Sequence, residues 1–238
     1  MLQVGNVLHT NLDIYVHPVD RTRVDVVGMV HFADAGFYHG VQSYLDDRTM
    51  AGAHVQYEGV TQPKPGEHIP EETVQKIGLM AMAAQTVGDL FTGVGLASQQ
   101  EVLEYRPSWS NSDISMAEVV ADIDMRSVIE FAVGAEVLAQ LMGDLHPSEQ
   151  REALFSALQR LGHSSDNNSG LMGPRLSDAL LDKRNEAALG VMDRQKLARP
   201  NTDFVLVWGE GHLPGLGVGL SRRGYHLKKQ RHLPAISL

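Results

Sequence analysis

Two histidines stand in the same local pattern near opposite ends of the chain. Gly28-Met29-Val30-His31 closes the largely apolar run Val24–Val27, and Gly209-Glu210-Gly211-His212 closes Phe204–Trp208. Each time a strand-like segment ends in Gly-x-x-His and runs into a helix-like one. The glycine lets the backbone leave the strand sharply and approach a ligand closely. A histidine there can act as general base, metal ligand or oxyanion stabiliser. Ligands gather at the carboxyl ends of strands in α/β folds, so His31 and His212 are expected at one edge of one sheet. Glu58 ends the run Val55-Gln56-Tyr57 and precedes Gly59. If that strand lies parallel to Val24–Gly28, Glu58 joins His31 at the same edge. Two histidines and a carboxylate, here His31, Glu58 and His212, can bind a divalent metal such as Zn, Mn, Fe or Co, or work as acid and base without one. Arg184, within Leu180-Leu181-Asp182-Lys183-Arg184-Asn185, is a cation that can hold a carboxylate or stabilise developing negative charge. Taken singly, each of these residues also reads as a polar group at a sheet edge or on a helix surface. Asp113 reads as a turn or cap residue. Asp34, Tyr38 and His39 follow His31 closely enough to line the same pocket, although Tyr38 fits equally as packing.

The elements that must position these residues follow from periodicity and turn chemistry. Asn11–His17 and Val24–His31 read as strands joined by the turn Pro18–Thr22. Phe37, Tyr38, Val41, Tyr44 and Leu45 predict a helix over Asp34–Asp47. Ala53–Val60 reads as another strand, so that Val24–Val60 forms a βαβ unit with parallel strands and a right-handed crossover. Gln62–Gly66 is a loop, and Pro70-Glu71-Glu72-Thr73 opens a helix extending to about Gln100. Tyr105–Ser115 is irregular. Ser115-Met116-Ala117-Glu118 fits a capping box, and helical periodicity then runs to Leu161 with a break near His146-Pro147-Ser148. Gly162–Gly173, rich in Ser, Asn and Gly, reads as a mobile loop, and in a binding protein its part Ser164–Gly173 can serve as a lid or partner contact. Helix returns over Leu176–Leu197. A strand at Phe204–Trp208, a short helix at Leu213–Arg222 and a strand at Tyr225–His232 finish the chain. The expected fold is α/β or α+β: one domain over 1–238, its central mixed sheet built from N- and C-terminal strands, with helical residues filling about 70–200.

Composition narrows the function classes. The 238 residues are 43% hydrophobic and 21% charged, ordinary for a globular protein. A formal net charge of -9 argues against a nucleic-acid-binding surface. The basic segment Lys228–His232 reads as a solvated edge strand. The chain has no cysteine, which excludes disulfides, thiolate metal sites and cysteine nucleophiles. No run of about 18 apolar residues occurs, since Gln85, Thr86 and Asp89 interrupt Ile77–Ala97. Met1–Asn6 carries no leader pattern. A cytoplasmic chain with no membrane span is expected. The segment Gly209–Pro214 begins like a dinucleotide fingerprint but has Pro214 where the third glycine belongs, and no P-loop is present, so no nucleotide cofactor is expected.

The order of these motifs resembles the TraB/PrgY/GumN group. The residues that carry the likeness are Val27-Gly28-Met29-Val30-His31, the following helix with Tyr38, the strand ending in Glu58, Lys183-Arg184-Asn185, and Trp208-Gly209-Glu210-Gly211-His212-Leu213-Pro214-Gly215. That group includes pheromone-shutdown proteins and the Tiki proteases, and is similar in turn to the erythromycin esterase and ChaN proteins. The resemblance implies a hydrolase site at His31, Glu58, Arg184 and His212, metal-dependent in the Tiki branch. Glu58 is followed by Gly59, where the group has an acidic or apolar residue. The expected activity is cleavage of a peptide, ester or amide bond in a peptide or small molecule by water activated on His and Glu, with or without a divalent metal (Mn, Co or Zn). The alternative is a non-catalytic protein using the same pocket for a metal or small anion.

Overall fold

The computed structural model describes residues 1–61, 66, 68–146, 149–156 and 174–238, the last span by backbone alone as far as 180. The expected loop over 62–66, apart from Gly66, and the segment 162–173 lie outside the described residues. The architecture is the mixed α/β one read from the sequence. In chain order the strands are β1 (Leu2–Val4), β2 (Val7–Val16), β3 (Arg23–Met29), β4 (Phe32–Ala33), β5 (His54–Tyr57), β6 (Ala97–Ser98), β7 (Ser110–Asn111), β8 (Phe204–Gly209) and β9 (His226–Ser237). The helices are α1 (Ala35–Met50), α2 (Glu71–Gly93), α3 (Gln99–Val102), α4 (Met116–Ala121), α5 (Met125–Gly143), α6 (149–156), α7 (Pro174–Ala198) and α8 (Leu213–Arg222).

Seven strands form the main sheet in the order β1-β2-β3-β8-β5-β7, with β9 against β2. Because β9 follows β2 along its whole length, β1 and β3 share the other side of that strand, one after the other. β3, β8, β5 and β7 are parallel, whereas β2 is antiparallel to β3. β3 and β5 are therefore parallel, as the βαβ reading requires, but they are not neighbours. β8 lies between them, with Phe204 in register with both Val24 and His54. The reason is apolarity on both faces: Phe204–Trp208 are all buried, which suits a strand covered on two sides.

The alternation of side chains along β8 builds two cores. Val205 and Val207 pack with Val27, Val55, Phe37, Tyr38, Val41 and Leu45 on the α1 face. Phe204, Leu206 and Trp208 pack with Ala188, Leu189, Met192, Leu213, Leu216 and Leu220 on the face covered by α7 and α8. α7 and α8 touch closely because glycines of α8 face it. A Cβ at Gly215 would overlap Asn185, and one at Gly219 would overlap Leu189. In the helical middle, Ser115 and Glu118 form the capping box that starts α4. The basic segment of β9 does lie at an exposed sheet edge. Among the described residues, no helix is long and apolar enough to cross a membrane.

Candidate functional site

Glu58, Arg184 and His212 meet where the parallel strands end. Glu58 follows β5, and its backbone N–H donates to Val207 O of β8, so the carboxylate stands beside the end of β8. There Gly209 N–H donates to Glu58 Oε2 at 2.5 Å, and a side chain on Gly209 would crowd that oxygen. Arg184 comes from α7. Its Nη2 donates to Glu58 Oε1 at 2.5 Å, and its Nε and Nη2 grip Asp113 Oδ1 and Oδ2 at 3.0 and 2.6 Å. The planar guanidinium suits this two-pronged grip. His212 ends the 3₁₀ turn Glu210–His212 that joins β8 to α8.

The His212 ring is held on three sides. Nδ1 lies 2.8 Å from Asn185 Oδ1. An amide oxygen only accepts, so Nδ1 carries a hydrogen, and in the neutral tautomer this selects the lone pair stands at Nε2. Nε2 faces Arg184 Nη1 at 3.4 Å and Glu58 Oε1 at 3.6 Å. Trp208 meets the imidazole edge-on with centroids 4.9 Å apart, and the Arg184 guanidinium lies 5.6 Å from the Trp208 ring centroid. Among the described residues the Trp208 indole N–H, buried here, has no acceptor.

The cluster is nearly sealed, with side-chain exposures of 12% for Glu58, 9% for Arg184, 4% for His212 and none for Asp113. Burial by itself pushes the Glu58 carboxyl up, but the His212 ring in its protonated form, the Arg184 cation and the Gly209 N–H outweigh it and hold it well below the usual carboxylate range. On Arg184, burial favours the neutral form, while Asp113 and Glu58 together hold the cation.

His31 is placed differently. β3 ends at Met29, and the chain turns away into β4, which pairs with β6. The His31 carbonyl accepts from Gln99 N–H at 2.8 Å and its ring is exposed, outside the hydrogen bonds that join Glu58, Arg184 and His212. Its motif glycine serves another purpose: a Cβ at Gly28 would overlap the Glu210 carboxylate. Glu210 accepts from Asn11 N and Asn11 Nδ2 at 3.0 and 2.5 Å, and burial raises its carboxyl above the normal range. The two Gly-x-x-His segments thus interlock, the glycine of the first admitting the glutamate of the second. Of the other candidates, Tyr38 is fully buried and donates to Val30 O, Asp34 accepts from Arg151 and from Ser237 N–H, and His39 is exposed.

These residues do not fit His31, Glu58 and His212 as a ligand set for a resident metal. Both Glu58 oxygens already accept hydrogen bonds, and the Arg184 cation stands against His212 Nε2. Among the described residues, no group of three or more His, Asp or Glu is arranged to hold a metal ion.

Asp113 and Asn185 are the site residues that sequence reading undervalued. Asp113 lies in a polar loop where a carboxylate resembles a cap. Asn185 is hidden in a charged helix, and its signals are adjacency to Arg184 and its place in Lys183-Arg184-Asn185. No protein-family model matches the chain, and no curated protein matches it.

Proposed function

We propose that the Glu58–Arg184–His212 cluster is a hydrolytic site of the TraB/Tiki-like type, working without a resident metal on a peptide, ester or amide carbonyl. The observation that carries this reading is His212: a buried imidazole with its tautomer set by Asn185, Nε2 turned toward a carboxylate and a guanidinium. A base oriented in this way can take a proton from water. In the proposed reaction water loses its proton to His212 Nε2 as its oxygen bonds to the carbonyl carbon. The carbon–oxygen or carbon–nitrogen bond to the leaving group then breaks, and His212 returns the proton to that group. Glu58 balances the transient imidazolium, and Arg184 offsets the negative charge developing on the carbonyl oxygen.

The test is turnover of a panel of aryl esters and fluorogenic peptides by the wild-type chain and by His212→Ala and His212→Gln. Loss of the base is expected to lower the rate by about a hundredfold or more, with the far-UV circular dichroism unchanged and wild-type turnover surviving dialysis against a chelator. A His212→Ala variant as active as wild type would overturn the reading.

One observation favours a second reading, a binding protein without catalysis. Glu58 and Asp113 already neutralise Arg184 inside an enclosed cluster, so the site is stable without substrate. Calorimetric binding of a small anion, lost in His212→Ala and unaccompanied by turnover on any panel member, would support that alternative.

A further inference from the structure

Helix α5 is apolar on two opposite faces. Val128, Ala135 and Met142 are its buried residues, and Val128 packs with Leu79 and Met80 of α2. The other face carries Ile129, Val133, Val137 and Leu141, each with between 45% and 64% of its surface open. Their spacing of four places them in one continuous ridge, about 18 Å long at the rise of a helix. A surface helix needs one apolar stripe, so a second asks for cover of its own. Single exposed apolar side chains are ordinary, whereas a row of them forms the kind of patch that marks an interaction surface.

The order of residues along the ridge decides what fits it. From either end it runs long, short, short, long: Ile, Val, Val, Leu. A two-fold interface requires this, because residue i of one copy meets residue j of the other and j meets i. With two such helices antiparallel about Ala135, Ile129 meets Leu141 and Val133 meets Val137. Ridges of this spacing interdigitate with the helix axes inclined by about 50°. The axes are then closest at the valines and diverge toward the ends, where the longer Ile129 and Leu141 reach across.

Charge selects the same direction. Arg126 and Asp144 are exposed and lie equally far from Ala135 on either side. An antiparallel pair turns the cation of each copy toward the end that carries the carboxylate of the other, and a parallel pair opposes like to like. Arg126 also holds Glu130 at 2.7 Å, an exposed pair of small worth. The rim is otherwise acidic, with Glu130, Glu136 and Asp144 against Arg126. That disfavours an anionic bilayer as the occupant, whereas between two copies charges at an exposed rim are screened by salt.

We propose that α5 is the contact of a two-fold dimer, crossing α5 of a second copy antiparallel at Val133 and Val137. Two ridges with their rims bury on the order of 1,000 Å² in total, the lower limit of a specific interface, so the dimer dissociates in the micromolar range. The contact uses no residue of the Glu58–Arg184–His212 cluster and does not depend on the hydrolytic reading.

Sedimentation equilibrium of the full chain from about 1 to about 200 µM is expected to show reversible exchange between monomer and dimer. Val133→Glu and Val137→Glu, both at exposed positions, should each weaken association by about thirtyfold or more, as loss of a central contact does, with the far-UV circular dichroism unchanged. His212→Ala should associate as the wild type does. Direction is read by cross-linking, which a chain without cysteine permits. Under oxidation a mixture of Ile129→Cys and Leu141→Cys should form the mixed disulfide faster than either variant pairs with itself. A chain monomeric over the whole range would overturn the proposal and leave the ridge to a partner of another sequence. Association unchanged in both glutamate variants would overturn α5 as the contact, and faster pairing of Ile129→Cys with itself would overturn the antiparallel arrangement. The concentration dependence of the wild-type chain stands as a test even if a variant fails to fold.

Discussion

In the proposed reaction, His212 can serve as the base only because of Asn185. A histidine whose two ring nitrogens compete for partners spends its lone pair in either direction, whereas an amide oxygen at Nδ1 reserves Nε2. Asn185→Ala is therefore expected to lower kcat by roughly tenfold to a hundredfold, the usual cost of losing an outer partner of a functional histidine, with KM little changed. Asn185→Asp should restore most of the loss, since a carboxylate oxygen also accepts from Nδ1. Steady-state kinetics on whichever ester or peptide the wild type turns over separates these outcomes. A purely structural Asn185 would lower stability instead and would not be rescued in kcat.

Glycines set the spacing of the elements around the site. Gly209 leaves room for the Glu58 carboxylate, Gly28 for Glu210 and Gly215 for Asn185. The consequences of filling these spaces differ with what stands opposite. At Gly28 a methyl group also comes within 2.9 Å of the Asn11 carbonyl, backbone that cannot swing aside, so Gly28→Ala should cost about 1–3 kcal/mol of stability through overpacking. At Gly215 the obstacle is the Asn185 side chain itself. Gly215→Ala should therefore act through His212, lowering turnover by a larger factor than its effect on the melting temperature implies. Denaturant unfolding and turnover measured on both variants test the contrast, and equal effects of the two on activity would refute it. The same glycines explain why the duplicated motif does not make a symmetric site. One copy exits β8 into a 3₁₀ turn that points its histidine inward, while the other exits β3 toward β4 and leaves His31 outside.

At the scale of the whole molecule, buried carboxylates tie stability to pH. The folded-state pKa of Glu58 lies below its normal value of 4.5. Its contribution is thus fully present above pH 4.5 and is lost as pH falls through the folded pKa. Glu210 is shifted the other way, so its contribution is present below pH 4.5 and is lost as pH rises through its own raised pKa. Differential scanning calorimetry of wild type and Glu58→Gln from pH 7 to pH 2 should show the variant less stable at neutral pH but shallower in its decline below pH 4.5. Parallel acid limbs would contradict the role given to Glu58. The cluster ties together the end of β5, the loop after β7, α7 and the turn after β8.

Much of this architecture could be read from local pattern. The apolar run of Phe204–Trp208 marks a doubly covered strand, the spacing of Phe37, Tyr38, Val41 and Leu45 marks α1, and Ser115 with Glu118 marks the start of α4, because each depends on residues a few positions apart. Glu58, Arg184 and His212 were legible as chemical types at strand ends and on a helix. Tertiary structure alone decided that β8 separates β3 from β5, that Asp113 and Asn185 complete the site, and that His31 faces outward. Those outcomes depend on contacts between segments tens to more than a hundred residues apart and on which way a chain turns after its last strand residue. Neither leaves a periodic signature in the sequence.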